Sequence, residues 1–181
     1  MQLFKKSLAV LFIISSFCAQ QVSAQEIQLS PADDLQKTLD NSQNGDVITL
    51  EPGSYLGNFT ITKQVTLRSN NKGEATIDAQ GKGHALLLKN SHITIENLII
   101  TNWGDDLTEQ NSGIYSNEKI NHNKVPEIMI NNNLLIGDGF GIWLNHVTKA
   151  KVTNNEVKGN IKLRSADRGN GIQVANVTHS H

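Results

Sequence analysis

Few side chains in this sequence could bind a transition metal, and most of them are histidines. His179 and His181 are the closest pair and, as positions i and i+2 of a strand, would face the same side. His122 and His146 lie about one repeat apart, and Met129 between them offers a soft sulfur ligand. We expect Met129 to point outward from its strand. Both groups have two interpretations: a metal site, or ordinary solvent-exposed residues.

A second set of residues could bind a partner. Asp167 and Arg168 precede Gly169 and Asn170, so a charged pair is followed by residues that favour a tight corner. Asp167, Arg168 and Asn170 could dock a partner from an exposed corner, or they could stabilise the corner itself. Trp143 would suit a sugar or protein partner if it is exposed. Burial of this side chain is the alternative.

Acid–base chemistry on a sugar acid is a third possibility. Polysaccharide lyases and uronate epimerases need carboxylates, often with Ca²⁺, and a base that removes the proton beside the substrate carboxyl. The acids of this chain do not recur at a constant spacing. A carbohydrate-active enzyme therefore stays the alternative function, with these candidate residues: Asp105, Asp106, Asp138, Asp167, Arg164 and Arg168.

Repeats show which elements must position these residues. Gly-Ile occurs at Gly113, Gly141 and Gly171, at intervals of 28 (113 to 141) and 30 (141 to 171) residues. Asn133 and Asn155 lie 22 residues apart (133 to 155) in similar β-rich strings. Repeats of this length, made of short strand-like pieces, indicate a solenoid. The glycines and the two asparagines would form a structural ladder, with the asparagine amides bridging successive turns at one corner.

The predicted fold is all-β, a right-handed single-stranded parallel β-helix with a short N-terminal capping helix. The segment 95–100 fits the asparagine repeat with Leu98 at the Asn position. The helix is expected within residues 26–40, with Ser30-Pro31 as its N-cap and first position. Alternating strands are expected from Val47 onward. Two polar stretches, 101–112 and 117–125, interrupt the repeat as insertions.

The composition indicates one exported domain. Lys5 and Lys6, an apolar run and Val22-Ser23-Ala24 predict a signal peptide over residues 1–24, which leaves the domain at residues 25–181. The only cysteine is Cys18, so the mature chain would have no disulfide. A formal net charge of −1 gives no reason to expect nucleic-acid binding. We expect no transmembrane segment in the mature chain. The last residues open a new turn of the solenoid, which predicts that the domain is truncated at its C-terminal end.

A specific resemblance lies in the segment 163–172, where Arg168-Gly169-Asn170-Gly171 is followed by an apolar residue. This string resembles the NosD family, periplasmic β-helical proteins that take part in the maturation of nitrous oxide reductase. The segments 104–114 and 139–144 resemble successive coils of the same family. The resemblance covers essentially the whole mature chain.

The resemblance implies a periplasmic accessory protein rather than an enzyme. The implied partners are nitrous oxide reductase, the ATPase and membrane subunits of an ABC transporter, and a copper-delivering lipoprotein. Their joint task would be to assemble the copper–sulfur centre of the reductase. No cofactor is expected to be bound firmly, although transient copper binding at the histidines and Met129 is compatible with this role.

Overall fold

The computed structural model describes residues 23–117, 127–147, 149–159, 164 and 169–176. Residues 1–22 of the predicted signal peptide and most of the second predicted insertion lie outside these residues. The described elements, in chain order, are β1 (Glu26–Leu29), α1 (Leu35–Asn41), β2 (Val47–Leu50), β3 (Gly53–Leu56), β4 (Phe59–Ile61), β5 (Thr66–Ser69), β6 (Ala75–Asp78), β7 (Leu86–Leu88), β8 (Ile93–Glu96), β9 (Ile99–Thr101), β10 (Ser112–Ser116), β11 (Ile128–Asn131), β12 (Leu134–Ile136), β13 (Phe140–Asn145), β14 (Ala150–Thr153), β15 (Glu156–Lys158) and β16 (Ile172–Ala175).

These strands form three parallel sheets, and each turn of the chain adds one strand to each sheet. Sheet 1 has the order β1-β2-β5-β8-β11-β14, sheet 2 the order β3-β6-β9-β12-β15, and sheet 3 the order β4-β7-β10-β13-β16. This arrangement is the right-handed parallel β-helix that the repeats predicted, so the predicted fold class is confirmed.

Stacked apolar side chains form the core. Along sheet 1, Leu67 pairs with Ile95, and Ile95 pairs with Ile130. In sheet 3, Ile114 and Ile142 pair in the same way, which places the repeated Gly-Ile strings in register. In strands such as β8 and β11, buried and partly exposed positions alternate because successive side chains point to opposite faces. The alternation of small polar and branched apolar residues therefore specifies both the strands and the core.

The corners between the sheets differ in length. The first corner, from sheet 1 to sheet 2, holds two residues in four of the five turns: 51–52, 97–98, 132–133 and 154–155. The second corner, from sheet 2 to sheet 3, is irregular, and its segments are 57–58, 79–85, 102–111, 137–139 and 159–171. The predicted insertion 101–112 corresponds to one of these irregular segments.

The predicted helix boundary was wrong. Residues 26–29 form β1 and pair with β2, and the helix begins at Leu35 with Asp34 as its N-cap, whose carboxylate accepts the Lys37 N–H at 3.0 Å. Ser30 instead opens a turn, in which its N–H and Oγ donate to the Asp33 carboxylate. These bonds lower the pKa of Asp33. The pairing of β1 with β2 therefore decides the structure of residues 26–29, against the local helix preference of Ser30-Pro31.

The helix caps the first coil. Leu35 and Leu39 are buried on one of its faces. The Gln36 side chain donates to Thr60 O at 3.0 Å and accepts from Thr60 N at 2.8 Å, so it satisfies backbone groups of β4 that have no neighbouring strand. This cover protects an exposed sheet edge. The described residues contain no helix that is long and apolar enough to span a membrane.

Candidate functional site

A depression of about 490 Å³ lies at the second corner, where strands of sheet 2 end. Asp78 is the last residue of β6, Asn102 follows β9, and Gly137 follows β12. Because the carboxyl ends of parallel strands meet at one edge, residues far apart in sequence line one surface. We call this surface the acidic depression; it is lined by Asp78, Gln80, Gly81, Asn102, Trp103, Asp105, Gly137 and Asp138.

The base of the depression is stabilised by its backbone conformation and by hydrogen bonds from amide N–H groups. Gln80 and Asn102 both have positive φ, 55° and 54°, and turn the chain away from sheet 2. Asp78 Oδ1 accepts the Gln80 N–H at 2.9 Å and an Asn102 Nδ2–H at 3.0 Å. One oxygen of Asp78 therefore connects two neighbouring coils.

Trp103 forms one wall and is only 4% exposed. Three glycines make room for its indole ring. A Cβ added at Gly137 would lie 2.6 Å from Cε2 of the ring, one at Gly139 would lie 2.9 Å from Cδ1, and one at Gly113 would lie 3.0 Å from Cζ3. The distances at Gly137 and Gly139 are too short for a Cβ, and the one at Gly113 is at the limit, so a larger residue at Gly137 or Gly139 would force a shift of the ring or the backbone.

The 102–111 segment is folded by its own polar groups. Asp106 Oδ1 accepts the N–H groups of Thr108 at 2.8 Å and Glu109 at 3.1 Å, which makes Asp106 a structural residue of the loop. At the end of the segment, Tyr115 Oη donates to Gln110 Oε1 at 2.8 Å. This bond connects the loop to the outer face of sheet 3.

Aromatic side chains stack along that outer face. The rings of His84 and Tyr115 lie 3.9 Å apart with an interplanar angle of 14°. Tyr115 and Trp143 occupy paired positions, with ring centroids 6.5 Å apart, and Phe140 meets Trp143 edge-on at 4.5 Å. Burial lowers the pKa of His84, which favours the neutral imidazole. Trp143 is consequently a half-buried member of an aromatic stack rather than an isolated surface residue.

The candidate metal ligands lie in different places. Met129 points outward from β11, as expected, and His146 has a positive φ of 56° in the turn after β13. His122, His179 and His181 lie outside the described residues. In the part of the chain that the structure describes, no three His, Cys, Asp or Glu side chains are arranged to hold a metal ion.

The predicted partner-binding residues are only partly described. Asn170 Nδ2 donates to Gln173 Oε1 at 2.7 Å, and the Asn170 carbonyl accepts the Gly141 N–H at 3.1 Å. Asp167 and Arg168 lie outside the described residues. The repeated glycines stack in sheet 3, where Gly171 O accepts the Ile142 N–H at 3.0 Å.

The asparagine corner contains a bridged pair. Asn155 Oδ1 accepts from Asn133 N at 3.0 Å and from Asn133 Nδ2 at 2.9 Å. Asn133 Oδ1 in turn accepts the N–H of Leu98 at 3.0 Å. Leu98 therefore occupies the same corner position one coil earlier.

Sequence reasoning missed two features of this site. It did not group Asp78 and Trp103, and it did not place His84 beside Tyr115. Gly137-Asp138-Gly139 was a usable signal, because closely spaced glycines indicate tight approach of another group. The aromatic stack had no comparable signal, since the intervals between its members are unequal.

The fold and this site define a class: an all-β solenoid, a right-handed parallel β-helix whose embellished corner carries an acidic depression. No family model matches the chain. Curated proteins described as a "probable ABC transporter binding protein NosD" do match it. The protein from Pseudomonas aeruginosa is 36% identical over 126 residues, which cover 70% of this chain and 28% of that protein.

A second relative, from Stutzerimonas stutzeri, is 34% identical over 137 residues, which cover 73% of this chain and 30% of that protein. A further P. aeruginosa protein of the same description is 33% identical over 66 residues, 36% of this chain and 59% of that protein. The chain is thus a homologue of NosD proteins, and the resemblance noted in its sequence is confirmed. It spans less than a third of the length of the first two relatives.

Proposed function

We propose that this protein is a periplasmic accessory factor that binds an ABC transporter and supports the maturation of nitrous oxide reductase. The observation that carries the proposal is the match, over about 70% of this chain, to relatives described as ABC transporter binding proteins. The family role adds nitrous oxide reductase and a copper-delivering lipoprotein as further partners. The chain would act by binding these proteins, not by catalysis.

A β-helix suits such a role for physical reasons. Its stacked sheets are rigid, so the loops at one corner stay at fixed positions along the solenoid axis. Residues of the irregular second corner lie on three successive coils here. A rigid scaffold that presents loops is a common basis for binding other proteins.

In this proposal, copper is handled by the partner proteins. Imidazole and thioether groups fit copper chemically. The described residues contain no group of three His, Cys, Asp or Glu side chains that could hold a metal ion, and His122, His179 and His181 lie outside those residues. We therefore assign no step to copper bound by this chain. Transient binding at His122, Met129 and His146, or at His179 and His181, stays a prediction that copper titration of His→Ala variants would check.

The alternative, an enzyme acting on uronate polymers, receives less support from the depression. Three aspartates line it, and among its described lining residues there is no Lys or Arg. The described lining residues therefore provide carboxylates but no Lys or Arg base for proton removal.

The proposed function can be tested in a bacterial host in which the host's own gene for this protein has been deleted. Reintroduction of the full-length gene should restore copper content and activity to the exported reductase, and the transporter subunits should co-purify with the protein. A copper-complete, active reductase in the deletion strain would contradict the proposal. Cleavage or epimerisation of a polyuronate by the purified protein would favour the enzyme alternative.

A further inference from the structure

We propose that removal of the signal peptide predicted over residues 1–24 creates a positively charged N-terminus at Gln25, and that this charge pairs with the buried carboxylate of Asp46. A signal peptidase hydrolyses the Ala24–Gln25 peptide bond with one water molecule, which leaves a carboxylate on Ala24 and an ammonium group on Gln25. Processing thereby completes the first coil of the β-helix. This pairing involves no transporter, so it goes beyond the proposed function.

The acceptor is Asp46, which precedes β2 and is only 2% exposed. Its Oδ1 accepts the backbone N–H of Gln25 at 2.9 Å, and its Oδ2 accepts the backbone N–H of Gln43 at 2.7 Å. None of the ion pairs found among the described residues includes Asp46. A buried carboxylate is costly unless a cation pairs with it, so neutral N–H partners alone leave this carboxylate incompletely stabilised.

Strand pairing fixes the position of Gln25. Its carbonyl accepts the N–H of Val47 at 2.8 Å, at the start of the ladder between β1 and β2. The nitrogen that donates to Asp46 is the same atom that becomes the ammonium nitrogen after cleavage. Cleavage therefore replaces a neutral donor by a charged one without movement of the chain. Charge-assisted hydrogen bonds are roughly twice as strong as neutral ones.

The surroundings of Gln25 also favour a positive charge. Gln25 is exposed and borders a depression of about 470 Å³, so water can solvate the ammonium N–H groups that Asp46 does not accept. Residues 41–43, at the C-terminal end of α1, line the same depression, and the last turn of α1 contains no basic residue. The partial negative charge of a helix C-terminus stabilises a nearby cation. Lys37 also lines the depression, and its exposed side chain can extend into solvent.

The test compares two forms of the protein that differ only at the N-terminus. The mature form begins at Gln25 and the extended form begins at Ser23, and each is released from a ubiquitin-like fusion partner by a protease that leaves no extra residues. In the extended form, the Gln25 nitrogen is a neutral amide and the ammonium lies on the exposed Ser23. Asp46→Asn keeps an acceptor oxygen but removes the charge. In denaturant unfolding, it should raise the unfolding equilibrium constant about fivefold or more in the mature form relative to its effect in the extended form.

Asp40→Asn is the matched control, because it removes an exposed acid of α1 whose described hydrogen bond is to Gln36 and not to Gln25. Its effects in the two forms should agree within about twofold. Intact mass establishes that Gln25 has not cyclised to pyroglutamate with loss of ammonia, because cyclisation removes the charge.

A second measurement needs no substitution, so it decides the question even if Asp46→Asn does not fold. The rate at which an acylating reagent modifies the terminal amine is measured for each form, folded and unfolded in urea. An ammonium paired with a carboxylate is not nucleophilic. Folding should therefore slow the reaction about fivefold or more in the mature form and by less than about twofold in the extended form.

Two kinds of result overturn the inference. One is N-terminal sequencing that shows the exported protein to begin at a residue other than Gln25. The other is an equal effect of Asp46→Asn in the two forms, or equal slowing of the amine reaction by folding. Neither measurement involves the transporter or the reductase, so failure of the proposed function and failure of this pairing are distinguished.

Discussion

The first and second corners of this β-helix both turn the chain from one sheet to the next, but they are stabilised in different ways. At the first corner, two residues usually suffice: one has a positive φ, as in Asn97, Asn132 and Asn154, and the next points inward. At the second corner, the segments vary in length and are held by glycines packed against Trp103. The first corner is stabilised by the same short conformation repeated in successive coils, whereas the second corner is stabilised by the packing of one large side chain, Trp103. The difference can be tested by substitutions at both corners.

The largest effect is expected for Trp103→Ala. Removal of a buried indole leaves a cavity among three glycines that cannot fill it, so the free energy of unfolding should fall by about 3–5 kcal/mol. Denaturant unfolding measures this change. Trp143→Ala is the control, because its half-buried ring should cost less than half as much. Equal losses would mean that Trp103 does not organise the second corner.

Asn133→Ala tests the first corner and should cost about 2–4 kcal/mol, because the buried Leu98 N–H and Ile95 carbonyl both lose partners. Asn155→Ala is the comparison in the same ladder. Its amide is less buried, so a cost of about 1 kcal/mol is expected. The ladder argument fails if Asn155 proves the more costly of the two in denaturant unfolding.

Tyr55→Phe examines the first corner of the first coil, where no asparagine is present. The single Tyr55 O–H donates to the carbonyl of Leu29 at 2.5 Å, and the carbonyl of Glu51, 3.1 Å from Oη, is a second and weaker acceptor. Loss of the hydroxyl should lower the free energy of unfolding by about 1 kcal/mol at pH 7. Burial raises the pKa of Tyr55 to about 12. The unfolded chain ionises this group near pH 10, so the wild type should lose stability as the pH rises from about 10 to 12.

The measurement is the free energy of unfolding against pH for both proteins. Tyr55→Phe lacks this titration, so the advantage of the wild type should shrink above pH 10. A constant difference between the two curves would show that the hydroxyl ionises equally in the folded and unfolded states.

The smallest effect is expected for Tyr115→Phe. This change removes the bond to Gln110 that connects the 102–111 loop to sheet 3, at a cost of about 0.5–1 kcal/mol. Hydrogen exchange should become faster in residues 102–111 and stay unchanged at the first corner. Faster exchange in both places would mean that the two corners are not independent.

The sequence predicts the first corner and the core well for a physical reason. Stacked coils require like residues at equivalent positions, so the Gly-Ile strings and the inward Ile and Leu residues repeat. Leu98 could be aligned with Asn133 from the pattern alone. The periodic part of the structure can therefore be recognised from repeats in the sequence.

The second corner could not be predicted in this way. Its segments differ in length, so equivalent positions are unequally spaced in the sequence. Tyr115 lies 31 residues after His84 and 28 residues before Trp143, and this spacing gives no sign that the three rings share one face. The residues of the acidic depression come from three coils with no common motif. The helix start was misplaced because long-range pairing of β1 with β2 decided the structure of residues 26–29.

The strand register also has an evolutionary consequence. Paired residues of sheet 1 lie 19, 28, 35 and 22 positions apart in successive coils, yet the stacking is uninterrupted. Insertions and deletions at the corners are therefore decoupled from the composition of the core. Lineages can acquire a new loop, or lose one, without compensating changes among the stacked residues. For protein engineering, the same property recommends the exposed residues 107–109, which follow the buried Trp103, as a position at which a foreign recognition loop can be inserted.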